Sequence, residues 1–178
     1  MVSYAGNGVN DLKTKDISLC ALFAALLVIC GWISIPLGSI SFTMQTFGVF
    51  LALFTLGGKR GSLAVLIYLL LGAVGLPVFS GFQGGVGILA GPTGGFLFGF
   101  MLTCLFYWAV TFCFGDHPPA RLTAAILGLL LCYVCALLWL RQFTGAASFL
   151  WCLPFLLPDA VKIGIAWYIA SRLRKIIL

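Results

Sequence analysis

The sequence predicts an all-α membrane protein of six transmembrane helices with both termini in the cytoplasm. Three observations lead there. Of 178 residues, 62% are hydrophobic and only 8% charged, and the mean hydropathy is +1.18. A soluble domain carries about 25% charged residues, and one of this length could not hide so much apolar surface. Apolar runs of membrane length recur along the chain, and the basic residues favour one side of them. This composition excludes a soluble enzyme and a disordered chain. The alternation and long polar loops of a β-barrel are missing as well.

The bilayer core asks for about 20 apolar residues per helix. Residues 17–35 form the first run, closed by Pro36, and 43–56 a shorter one, closed by Gly57 and Gly58. Runs 61–79, 95–115 and 120–140 follow. The sixth region, 146–173, is broken by Pro154 and Pro158. It reads as a short outer segment followed by a spanning helix from Pro158 onward, because proline removes a helical hydrogen bond. The polar start, 1–16, lacks the pattern of a cleavable signal peptide, so the first helix stays as an anchor. The chain is thus expected to be one membrane domain, 1–178. It has a cytoplasmic segment at 1–16 and a bundle at 17–175, with a Gly-rich outer loop at 80–95.

The net charge of +6 comes from ten Lys and Arg against four Asp. With the N-terminus inside, the inner segments hold Lys13, Lys15, Lys59, Arg60, Arg121, Arg172, Arg174 and Lys175. The outer segments hold only Arg141, and Lys162 falls within a helix. That bias places both ends in the cytoplasm and calls for an even number of spans. The basic balance then reflects an anionic membrane face rather than nucleic acid. The seven cysteines lie mostly in apolar runs and read as small buried hydrophobes. Cys132 and Cys135 have CxxC spacing without a second pair or a nearby His, which argues against a metal or redox role. His117 is the single His and there is no Glu, so no metal cluster can be assembled, and no His can activate Ser80 as a nucleophile. No catalytic residue and no cofactor are expected.

Two features could carry a ligand. Ten of the residues from Gly72 to Gly99 are glycine, and no charge lies between Arg60 and Asp116. So many glycines would spoil a helix but permit tight turns and close backbone approach. The apolar residues Leu76, Val78, Phe79, Val86, Ile88 and Leu89 favour a packed, ligand-facing loop over slack. Asp159 and Lys162 stand three residues apart, on one helix face. Intramembrane charges are costly and mark cavities or partners, so this pair reads as a ligand site at the same outer side as the loop. A third feature is weaker. Ala21 and Ala25, with Ala24 beside them, allow close helix approach, equally well to a partner or within the bundle.

The segments KTKDISLCALFAALL, GWISIPLGSISFTMQTFGVFLA, GKRGSLAVLIYLLLGAVGLPVFSGFQGG, GPTGGFLFGF and LPDAVKIGIA resemble the BioY family, the biotin-specific S components of energy-coupling factor transporters. The resemblance spans about residues 13–172. It implies six transmembrane helices, cytoplasmic termini, and a biotin pocket near the outer surface under the loops after helices one, three and five. It places the family's binding residues on Asp159 and Lys162, on Gln45, and on the loop, with Ser80, Gly81, Gln83, Gly84, Gly85 and Thr93. Phe42, Phe79, Phe82 and Trp151 are candidates to flank the rings. In the loop this chain offers Gln83 and no charge.

Biotin suits such a pocket, being apolar with a few polar groups. Asp159 would accept from a ureido N–H, and Lys162 would serve the ureido oxygen or the carboxylate. The family's docking motif falls on Ala21 and Ala25. The chain carries no nucleotide-binding motif, so uptake would be energised by a transmembrane coupling protein and a pair of ATPases. The competing expectation is a stand-alone secondary carrier or facilitator for biotin or another small vitamin. Either protein would sit as a multi-pass protein in the bacterial cytoplasmic (inner) membrane.

Overall fold

The computed structural model describes residues 7–37, 40–145 and 148–177. The chain runs through α1 (Asn7–Trp32), a two-stranded hairpin of β1 (Ser34–Leu37) and β2 (Ile40–Thr43), and α2 (Gln45–Ala73). A 3-10 turn (Ser80–Phe82) and the short α3 (Val86–Ala90) lead into α4 (Gly94–Phe114), α5 (Pro118–Thr144) and α6 (Ser148–Ile177). Among the described residues, Thr14–Trp32, Gln45–Ala73, Gly94–Phe114 and Pro118–Thr144 are long and apolar enough to cross a membrane.

Helix α2 is a folded-back hairpin rather than one rod. Gly57 has φ 81° and ψ 175°, a left-handed backbone that favours glycine. The two arms, 45–56 and 58–73, return upon each other, so that the Gln45 amide donates to the Tyr68 hydroxyl. A straight helix would hold those residues about 35 Å apart. The apolar runs expected at 43–56 and 61–79 are these arms. The second arm ends at Ala73, earlier than expected, where Gly75 (φ 107°) and Pro77 cannot continue a helix.

Cross-links fix the order of the bundle. Ser62 on the second arm donates to the Cys104 carbonyl of α4 at 3.2 Å, and Thr103 of α4 to the Gly128 carbonyl of α5 at 2.7 Å. Phe54 meets Trp167 of α6 edge-on at 5.1 Å and packs against Tyr107 of α4. The core is built on Phe50, Phe54, Tyr68 and Tyr107, all essentially buried. Leucines and aromatics such as Leu70, Leu102, Phe112, Leu138 and Tyr168 point outward. In lipid that costs nothing, because acyl chains are as apolar as leucine.

These contacts give the bundle two unlike ends. At one lies the turn at Gly57 with Lys59 and Arg60, and Arg60 pairs with Asp16 of α1 at 3.0 Å. Beside the α4–α5 connection, Asp116 pairs with Arg121 at 3.6 Å and with Arg174 near the end of α6. At the other end sit the β-hairpin, the Gly-rich segment and the start of α6.

The structure bears out the all-α class and adds one short hairpin, β1 and β2, whose register pairs Ser34 with Thr43 and Leu37 with Ile40. Residues 7–16 of the polar start are helical, as part of α1. One expectation needs correction. The prolines at 154 and 158 do not divide the last region, since α6 is continuous through both. Packed neighbours can satisfy or shield the freed carbonyls of a membrane helix, which makes internal proline tolerable.

Candidate ligand-binding site

The β-hairpin brings Phe42 and Thr43 down onto α6. There Asp159 and Lys162, both buried, form an ion pair of 2.7 Å. The second carboxylate oxygen of Asp159 accepts from the Tyr133 hydroxyl of α5 at 2.8 Å and from the Thr46 hydroxyl of α2 at 3.2 Å. The Lys162 ammonium also donates to the Thr43 carbonyl at 2.7 Å and sits 3.7 Å from the centre of the Phe42 ring. Both charges are therefore paired and hydrogen-bonded, the condition under which a buried ion pair is tolerable. A cation over an aromatic face adds electrostatic attraction. Phe42 in turn stacks on Phe155 at 5.5 Å.

A second polar chain begins at the same strand. The Thr43 hydroxyl donates to the Gln45 side-chain carbonyl at 2.8 Å. The Gln45 amide donates to Tyr68, whose hydroxyl donates onward to the Val78 carbonyl at 3.2 Å. Gln45 is thereby fixed at the head of α2.

The Gly-rich segment is anchored by Val78 and Phe79, which are buried, while Leu76 and Val86, expected to pack, are exposed. The Phe79 ring meets Tyr68 edge-on at 5.6 Å and lies over Gly72, where any Cβ would fall 2.0 Å from the ring. The Phe79 amide donates to the Gln83 carbonyl at 2.9 Å, closing a tight turn. The Trp139 indole of α5 donates to the Gly91 carbonyl at 3.0 Å, tying the segment to the bundle. Gly81 and Gly85 supply positive φ angles of 70° and 97°.

A narrow cavity of about 70 Å³, open to solvent at its mouth, lies beneath this segment. Gln45, Phe79, Ser80, Gln83 and Thr93 line it, with Ser41 and Thr43 from the hairpin side. Phe96, Leu97 and Phe100 of α4, with Ile88, form the apolar wall. A smaller cavity of about 30 Å³ adjoins it, sharing Ser41, Thr43 and Phe96 and reaching Asp159, Phe42, Thr46 and Phe155. Clefts with a few placed polar groups are the usual setting of small-molecule sites.

The residues singled out in the sequence largely converge here. Gln45, Phe79, Ser80, Gln83 and Thr93 share the larger cavity, Phe42 and Asp159 the smaller. Lys162 stands behind Asp159 rather than in either wall. Gly81, Gly84 and Gly85 shape the turn instead of lining the space. Phe82 is turned away, 64% exposed and packed on Trp32 at 5.0 Å, because the positive φ at Gly81 and Phe82 reverses the chain. The side chain of Trp151 lies outside the described residues. Ala21 and Ala25 are exposed on α1, whereas Ala24 is buried in the core, so the three do not form one strip. A helix turns 100° per residue, and Ala24 falls on the inner side.

Sequence reasoning missed Tyr133, Thr46, Thr43 and Tyr68. Tyr133 had a readable signal: a phenol inside the run LGLLLCYVCALLWL needs a hydrogen-bond partner when buried.

Residues 5–178 match the model of the BioY family. The chain belongs to the BioY family. A probable biotin transporter BioY of Pyrococcus horikoshii is 42% identical over 166 residues, which is 92% of this chain and 98% of the relative. The biotin transporter BioY of Thermotoga maritima is also 42% identical, over 165 residues, 91% of this chain and 97% of the relative. A crystal structure of the S-component for biotin from an ECF-type ABC transporter superposes with a TM-score of 0.84 at 26% identity, covering 93% of this chain and 94% of that one. BioY is a family of transporters, not enzymes, and this member is a multi-pass membrane protein.

Proposed function

We propose that this chain is a biotin-binding S component that mediates biotin uptake, driven by a separate coupling protein and pair of ATPases. The observation that carries this reading is the buried Asp159–Lys162 pair, held by Tyr133, Thr46 and Thr43, with Asp159 at the wall of a cavity. A cyclic urea offers N–H donors beside a carbonyl acceptor. Asp159 accepts from the N–H, and Lys162 turns from the Thr43 carbonyl to the ureido oxygen. Phe42, Phe79 and Phe96 pack on the rings. Gln45, Ser80, Gln83 and Thr93 complete the polar lining, with Gly81, Gly84 and Gly85 giving the loop its path. No cofactor takes part.

The chain spans the cytoplasmic membrane six times, the two arms of α2 counting as two passes, with both termini cytoplasmic. Supporting this, Lys59, Arg60, Arg121 and Arg174 gather at one end of the bundle, as the positive-inside rule asks. The cavities then open outward. Ala21 and Ala25 face out of the bundle and offer the coupling protein a smooth approach. A stand-alone carrier would instead move biotin without any ATPase.

Calorimetry in detergent tests the site. Asp159→Asn is expected to weaken biotin binding by roughly 1–3 kcal/mol, the scale of a hydrogen bond to a charged group; unchanged affinity rejects it. Ala25→Trp is expected to bind biotin normally, fail to co-purify with the coupling module and lose uptake. Uptake by the chain alone in vesicles would favour the carrier.

A further inference from the structure

The cavity has a polar mouth without a cation. The side chains of Ser41, Ser80, Gln83 and Thr93 line it, and none makes a hydrogen bond among the described residues. Gln83 is exposed and Ser80 half-buried, so this is where the cavity meets solvent. No Lys, Arg or His lies between Arg60 and His117, nor in the hairpin segment 33–44 or the stretch 142–161. Two basic side chains remain toward this end of the bundle. The Lys162 ammonium is held by Asp159, the Thr43 carbonyl and the Phe42 ring, so an incoming carboxylate would meet Asp159 as well. Arg141 is exposed in the last turn of α5 and lines neither cavity.

A ligand held at Asp159 by its urea directs its tail toward this mouth. There a tail carboxylate finds neutral donors and water, and no counter-charge. A carboxylate and a primary amide then differ little, because at a mouth open to solvent both keep their water and neither gains an ion pair.

We propose that this protein selects the bicyclic urea and not the charge of the tail, so that its ligands include neutral, carboxyl-capped derivatives of biotin such as amides. The inference rests on the biotin reading above.

Titration calorimetry of the purified chain with biotin and with its primary amide tests it. The expected result is affinities within about threefold of each other, as for exchange of one neutral hydrogen bond. Gln83→Arg, on an exposed loop position with φ −97°, is expected to raise the preference for biotin over the amide by about tenfold through a charge-assisted contact. Biotin bound tenfold or more tighter than the amide by the unaltered chain overturns the inference and leaves the biotin reading standing. An unchanged ratio in Gln83→Arg overturns the placement of the tail at this mouth. Binding of neither ligand overturns the biotin reading, and this inference with it.

Discussion

The two ends of the bundle hold ion pairs of similar chemistry in opposite surroundings. Arg60 and Asp16 meet at 3.0 Å with about a third of each side chain still exposed. Lys162 and Asp159 meet at 2.7 Å with 7% of each exposed. The exposed pair is hydrated and screened, and such pairs contribute about 0–1 kcal/mol. The buried pair is largely withdrawn from water and relies on protein partners. Tyr133, Thr46, Thr43 and Phe42 are therefore needed at one end, while the other end manages with charge alone. A site whose charges are already desolvated and oriented is one in which a small polar ligand can compete. At the basic end the charges link α1 to α2 and α6 to the α4–α5 connection.

Breaking one partner of each pair should show the contrast. Lys162→Met leaves the Asp159 carboxylate buried without its cation and is expected to cost about 3–5 kcal/mol of stability, read from unfolding in detergent. Pairing it with Asp159→Leu should recover most of that loss while biotin binding stays absent. A double variant no more stable than the single one would mean that the charges are structural and that the comparison fails. A smaller effect is expected from Tyr133→Phe, which removes one hydrogen bond to Asp159 and keeps the ring. It should weaken biotin binding by about 1–2 kcal/mol with a smaller change in unfolding, since the Thr46 hydroxyl still satisfies that oxygen. Equal binding in the two proteins would show that Asp159 needs no positioning by α5. The smallest effect is expected at the basic end, where Asp16→Asn should change stability by no more than about 1 kcal/mol. A loss as large as that of Lys162→Met would mean that exposure does not separate the two ends.

Much of this architecture is legible in the chain because lipid imposes one rule on every segment. A stretch in the bilayer must be apolar and must satisfy its own backbone, so hydropathy alone locates the apolar helices. The charge bias follows from the same boundary. The Gly-rich segment was readable in part: Gly75, Gly81 and Gly85 take positive φ in its turns, whereas Gly72, Gly94, Gly95 and Gly99 lie within α2 and α4. Asp159 and Lys162 stood out because their cost in an apolar run demands a reason.

Local rules failed where a neighbour overrode them. Pro154 and Pro158 argue for a break, yet α6 passes through both, since packing in a bundle can outweigh a lost hydrogen bond. The strands 34–37 and 40–43 are too short to show alternation, and their pairing rests on the helices they connect. Phe82 has the composition of a pocket residue and the backbone of a turn, and the turn decides where its ring goes.

Hydropathy and charge, written residue by residue, determined that this protein is a helical membrane bundle with a basic end and a costly charge pair in its last helix. Each is set by a segment meeting lipid or water, with no need of the rest of the chain. What only the tertiary structure decided is which groups answer that pair. Tyr133 lies 26 residues before Asp159, Thr46 lies 113 before it, and Thr43 lies 119 before Lys162. No local pattern connects such distances. Their meeting depends on the fold-back at Gly57, the hairpin above α2 and the antiparallel packing of α5 on α6, which together place three helices and a strand around one carboxylate.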